Sequence, residues 1–158
     1  MRARVNSKSK FSPKFQSTKE LVSTEMKWTV DDSSMPMYLR AKIEGPPSID
    51  DYLDMWNAIL AHDKWCPGLS VLVDATKRES LGPQALTLVD DLADFFAENN
   101  NRFGRSCIAS FVSEIESYKF SRVFEYSAHL RGSSVVLRTF PDEESAIHWL
   151  SYLMAAHG

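Results

Sequence analysis

From Lys27 onward, short and nearly continuous apolar runs alternate with longer stretches whose apolar residues recur at helical spacing. This pattern limits the fold more than any other feature of the chain. Leu69–Val73 is closed by Asp74, and Ser106–Val112 is closed by Ser113. Runs of that kind, without polar alternation, fit strands covered on both faces of a parallel sheet. Between them, Ala85, Leu88, Val89, Leu92, Phe95 and Phe96 form a helical stripe. Ile49, Tyr52, Leu53, Trp56, Ile59 and Leu60 do the same before the first run, and Ala146, Ile147, Trp149, Leu150, Leu153 and Met154 do so at the end. Strands alternating with helices imply right-handed crossovers and mostly parallel pairing.

The remaining elements follow from local signals. Lys27–Asp31 and the alternating Met37–Glu44 read as two strands of a hairpin across Asp32-Ser33-Ser34. Gly45-Pro46-Pro47 breaks the chain, and Ser48 with Asp51 resembles a capping box that opens a helix ending near Lys64. Gly82-Pro83 starts the second helix, because proline tolerates the first helical position, and Asn99-Asn100-Asn101 ends it. Ser113-Glu114-Ile115-Glu116 has the capping-box form and opens a third helix to about Leu130. Ser134–Phe140 is the last strand, and Pro141-Asp142 starts the final helix. The expected order is β-β-α-β-α-β-α-β-α: a five-stranded, mixed, mostly parallel sheet with four helices, in one domain over residues 26–158.

Residues 1–25 lie outside this pattern. They are rich in Ser, Lys and Arg without sustained periodicity, the composition of a mobile extension. The stretch has some look of a mitochondrial transit peptide, and Met26, which opens the folded pattern, could be an alternative start. Residues 1–26 hold six basic side chains against Glu20 and Glu25, about +4, which leaves the rest with 12 basic and 19 acidic residues, about −7. An acidic body argues against nucleic-acid binding, which needs basic surface to neutralise phosphates. Cys66 and Cys107 make no disulfide framework in a chain of this size, which suggests a reducing, cytoplasmic setting. No run approaches the roughly 20 apolar residues of a membrane span.

The chain resembles the SpoIIAA-like family, related to STAS domains and to the lipid-binding Sec14 type, over about residues 26–153. The likeness is carried by Leu72-Val73-Asp74 closing a buried strand and by the arginine-led strand Arg105-Ser106-Cys107-Ile108-Ala109. Its most specific piece is the closing Thr139-Phe140-Pro141-Asp142-Glu143-Glu144-Ser145-Ala146-Ile147-His148-Trp149-Leu150. The resemblance implies roles in partner switching or small-ligand binding rather than a shared reaction. One departure matters. Anti-sigma-antagonist STAS domains carry an Asp-Ser-Ser-Gly-like phosphorylation motif before the second helix. Here that stretch reads Ala75-Thr76-Lys77-Arg78-Glu79-Ser80-Leu81-Gly82-Pro83, with Thr76 and Ser80 as the nearby hydroxyls.

Ligands of open α/β sheets sit beyond the carboxyl ends of the strands, near helix N-termini. The candidate ligand-binding set at that edge is Asp74, Lys77, Arg78, Ser80, Ser113, Lys119 and Arg122. The four bases could converge on an anion, with Ser80 and Ser113 donating to it. Against this, the bases could pair with Glu79, Glu116 and Glu125 on a solvated surface, and Asp74 could cap its own loop. Phe111, Phe120, Phe124, Tyr126 and Phe95-Phe96 either line a cavity or fill the core. Neither a metal-ligand spacing, a nucleophile elbow nor a glycine-rich phosphate loop is present, so no cofactor and no catalytic set is expected. The sequence thus reads as a noncatalytic regulatory or interaction module, binding a protein or itself through its second helix around Leu81, Leu86 and Leu88. The alternative is a binding protein for a small anionic or lipid ligand, and the lesser alternative is an unassigned enzyme.

Overall fold

The computed structural model describes residues 25–80, 82 and 84–157. The expected N-terminal extension therefore falls almost wholly outside the described residues, as do Leu81 and Pro83. The hairpin forms as expected. β1 (Lys27–Asp31) runs antiparallel to β2 (Leu39–Gly45), with Lys27 opposite Glu44 and Asp31 opposite Arg40. At the turn, the Asp31 carboxylate accepts from the Ser33 N–H at 3.0 Å and from its hydroxyl at 2.9 Å. Those bonds to Ser33 lower the Asp31 pKa.

Then follow α1 (Ile49–Leu60), β3 (Val71–Arg78), α2 (Ala85–Glu98), the single turn α3 (Asn100–Phe103), β4 (Cys107–Phe111), α4 (Ile115–Leu130), β5 (Val136–Phe140) and α5 (Glu143–His157). The sheet order is β1-β2-β3-β4-β5, and every pair after the first is parallel. Monotonic order with right-handed crossovers puts every connecting helix on the same face. α1, α2 and α4 accordingly share one core, in which Trp56, Phe96 and Phe103 are buried with Phe120 and Phe124 packed against them. α5 follows the last strand and crosses nothing, so it is free to cover the opposite face. Its Ala146 and Leu150 pack on Tyr38, Leu72, Ala109 and Phe111.

Several local expectations are corrected. β3 does not stop at Asp74 but continues to Arg78, about 13 Å further at strand rise. Lys42 faces Asp74 while Glu44 faces Lys77, so β3 carries one extra residue, a bulge. Asp74 holds that bulge: one carboxylate oxygen accepts from the Thr76 N–H at 3.0 Å and from its hydroxyl at 2.6 Å. The Ser113 capping box does not form either. Glu114 is the N-cap of α4 and makes no side-chain cap bond, while the Ser113 hydroxyl donates to the Thr76 carbonyl at 3.2 Å. Tethering to the bulged strand has replaced helix capping.

The second helix begins at Ala85, with the Ala85 N–H bonded to the Gly82 carbonyl at 3.1 Å. It stops at Glu98, and the asparagine run itself winds into α3, a helical turn beyond the four expected helices. Gly104 then turns the chain at φ 64°, where a Cβ would lie 2.9 Å from that of Pro67. Two other caps are as expected. Ser48 accepts from the Asp51 N–H at 3.3 Å, and Asp142 accepts from the Ser145 N–H at 2.8 Å. No described helix is long and apolar enough to cross a membrane.

Candidate functional site

Extending β3 to Arg78 places that side chain under the helices rather than in a solvated loop. Arg78 is only 8% exposed. Its Nη1 donates to the Tyr52 hydroxyl at 3.0 Å. Its Nη2 reaches the Ser117 carbonyl at 3.1 Å, the Ser117 hydroxyl at 2.5 Å and the Ser121 hydroxyl at 3.2 Å. The guanidinium carbon sits 4.8 Å from the centroid of the Phe120 ring, within cation–π range. All these partners are neutral, and no carboxylate among the described residues pairs with it. A buried charge normally keeps a counter-ion.

Above Arg78 a cleft of about 360 Å³ opens between the first turns of α2 and α4. Ala85, Leu86 and Val89 form one wall, and Phe120 and Val123 form the other. Glu79, Ser80, Glu116 and Lys119, all exposed, also line it on the solvent side.

Of the seven candidate residues, the structure brings Arg78, Ser80 and Lys119 to this cleft. The other four lie elsewhere. Asp74 and Ser113 serve the bulge. Lys77 is exposed and does not line the cleft; it lines an adjoining open depression with Thr76 and Glu114, which Arg78, Glu79 and Ser80 also border. Arg122 turns to the Tyr118 hydroxyl at 3.2 Å and to Glu125 at 3.3 Å. The surface-pair reading holds for it, and for Lys119, which is 3.9 Å from Glu116. The expected four-base convergence therefore reduces to one buried arginine and one peripheral lysine. Pattern reading missed Tyr52, Ser117 and Ser121, the oxygens that hold Arg78. Ser117 and Ser121 stand four apart on the helix face with Phe120 between them, a polar pair in an otherwise apolar position. That spacing was the available signal.

The aromatic question divides. Phe96 and Phe111 are core, Phe120 is half-buried and lines the cleft, and Tyr126 is exposed. Among the described residues no group of three or more His, Cys, Asp or Glu could hold a metal. Cys66 is exposed, and Cys107 is half-buried, with burial raising its thiol pKa.

Further along α4, Glu125 accepts from the Thr139 hydroxyl of β5. Burial raises its pKa, opposed by the Thr139 bond and the nearby Arg122 and Arg138 charges. With a folded-state pKa above the unfolded one, the folded chain keeps a proton that the unfolded chain has released. Stability then falls as pH climbs from the unfolded value through the folded one. Glu125→Gln, which keeps a carbonyl oxygen for Thr139, is expected to be more stable than wild type at neutral pH. Urea titrations should show the gap closing in acid. The lost pairing with exposed Arg122 is worth little.

No family model matches the chain, and no curated protein matches it. Its fold is similar to the crystal structure of an uncharacterised protein from the DUF3478 family with a SpoIIAA-like fold, from Shewanella loihica PV-4. The two share 19% sequence identity at a TM-score of 0.52, over 79% of this chain and 93% of that one. The fold of this chain is therefore SpoIIAA-like, as the Leu72-Val73-Asp74 segment, the arginine-led segment from Arg105 to Ala109 and the closing segment from Thr139 to Leu150 led us to expect.

Proposed function

We propose that this SpoIIAA-like module is a noncatalytic binding protein whose cleft takes a small molecule with an anionic group and an apolar body. One observation carries the reading: a buried guanidinium, unpaired with any described carboxylate, forms the floor of an apolar-walled cleft that is open to solvent. A ligand carboxylate or phosphate at that floor would supply the missing counter-charge through charge-assisted bonds. Leu86, Val89, Phe120 and Val123 would cover an adjoining hydrocarbon part. The volume falls at the small end of the range for ligand sites, roughly 300–1,000 Å³.

The partner-binding reading loses ground on the second helix. Leu88 is buried, and Leu86 is the only exposed large apolar residue of α2 among those described. It already forms a wall of the cleft.

Native mass spectrometry of gently purified protein, followed by its denatured mass, tests for a bound molecule. Titration with decanoate, decyl phosphate and uncharged decanol then tests the chemistry. The two anions are expected to bind and decanol to bind much more weakly. Lys119→Glu should weaken the anions several-fold without changing stability, because that side chain is at the opening and exposed. A clean polypeptide mass together with no saturable binding of either anion would reject the proposal.

A further inference from the structure

A second concavity lies on the face of the sheet that α5 covers, on the opposite side from the Arg78 cleft and independent of it. Phe140, at the end of β5, and Glu144, Ser145, His148, Trp149 and Tyr152 of α5 line an open groove of about 540 Å³. Phe140 and Trp149 are half-buried, with ring centroids 5.6 Å apart and planes tilted by 47°. Two rings held at that angle form a corner rather than a stack. Tyr152 follows Trp149 by three residues, on the same side of the helix, and is 66% exposed.

The charge of the groove is set by the three acids at the start of α5. Asp142 accepts from the Ser145 N–H at 2.8 Å, so it meets the partial positive charge of the helix N-terminus. Glu143 pairs with Arg40 at 2.8 Å. Glu144 is exposed and has neither an ion pair nor a hydrogen-bonded side-chain partner among the described residues. It lines the groove, and no described lysine or arginine does. The faces of aromatic rings are themselves negative. A carboxylate beside three such rings therefore favours a cation over a neutral or anionic ligand. A quaternary ammonium suits this lining best, because its methyls pack on the rings and it has no N–H donors to satisfy there.

We infer that this groove is a binding site for a small molecule carrying a trimethylammonium group. Phe140, Trp149 and Tyr152 surround the methyls, and Glu144 supplies the counter-charge. Six side chains cover far less than the roughly 800 Å² that a stable protein partner needs. The negative side chain also opposes an anionic bilayer surface. Because the groove is open to solvent, each contact is weak, and a dissociation constant on the order of millimolar is expected.

Titration of the isotopically labelled full chain with choline, followed at the Trp149 indole N–H, reads this directly. Two controls separate charge from shape. Dimethylbutanol is the uncharged carbon isostere of choline, and ethanolamine keeps the charge without the methyls. Choline is expected to give saturable shifts at Trp149 and Tyr152, with both controls roughly tenfold weaker. Glu144→Gln and Tyr152→Ala should each weaken choline several-fold. Both positions are exposed, and circular dichroism verifies that the variants are folded. No saturable shift with choline overturns the inference, as does a chain that ignores choline but sediments with phosphatidylcholine vesicles. Equal binding of dimethylbutanol, or choline binding indifferent to both substitutions, overturns it as well.

Discussion

Arg78→Ala is expected to abolish binding of anionic amphiphiles and to destabilise the fold by about 3 kcal/mol. The stability loss follows from what the guanidinium joins. It ties the end of β3 to Tyr52 of α1 and to Ser117 and Ser121 of α4. Hydrogen bonds to a charged group contribute about 1.5–3 kcal/mol each. The gain is offset by the desolvation of an arginine that no described carboxylate neutralises. Alanine would leave a cavity facing three hydroxyls. Arg78→Met fills that space with an apolar chain and should recover part of the stability but none of the binding. Denaturant titrations and ligand titrations on the same two variants separate the effects. If binding returned in Arg78→Met along with stability, the arginine would be a structural clamp and not the anion receptor.

Phe96→Ala is expected to cost about 4 kcal/mol, within the usual range for emptying a buried phenylalanine site. Phe96 has no exposed surface. Its ring is stacked on Phe103 at 4.6 Å and meets Trp56 edge-on at 5.1 Å and Phe124 at 5.4 Å. It therefore joins α1, α2, α3 and α4 at one point. The surrounding rings cannot close the gap without breaking their own contacts. For a domain of this size such a loss lowers the melting temperature by roughly 10 °C, readable by calorimetry. Tyr126→Ala, an aromatic truncation on the exposed face of α4, should stay within about 0.5 kcal/mol of wild type in monomeric protein.

The architecture was legible because each element carries a signal that depends only on its own residues. Leu69–Val73 and the helical stripes announce burial by periodicity, and Ser48 and Asp142 announce helix starts by capping chemistry. Where the outcome depends on a distant partner, local patterns mislead. Ser113 has the residues of a capping box, yet the Thr76 carbonyl of the bulged strand claims its hydroxyl. The polar run from Asp74 to Ser80 looks like a loop. Pairing with Lys42, Glu44 and Gly45 of β2 instead holds it as strand as far as Arg78. That single extension decides the site, because it turns one of four apparent surface bases into a buried one. Lys77 and Arg78 are adjacent and chemically alike in the sequence. Strand alternation sends Lys77 to solvent and Arg78 beneath α4, and the bulge sets which of them goes where.

The central claim is that an anionic amphiphile occupies the cleft above Arg78. Titrating decanoate into isotopically labelled protein, while following backbone amide resonances, tests it most directly. The account predicts saturable shifts confined to Arg78, Ser80, Leu86, Val89, Lys119, Phe120 and Val123, absent in Arg78→Met. Shifts centred instead on the open groove formed by Phe140 with Trp149 and Tyr152 of α5, or a spectrum that does not change, would contradict it.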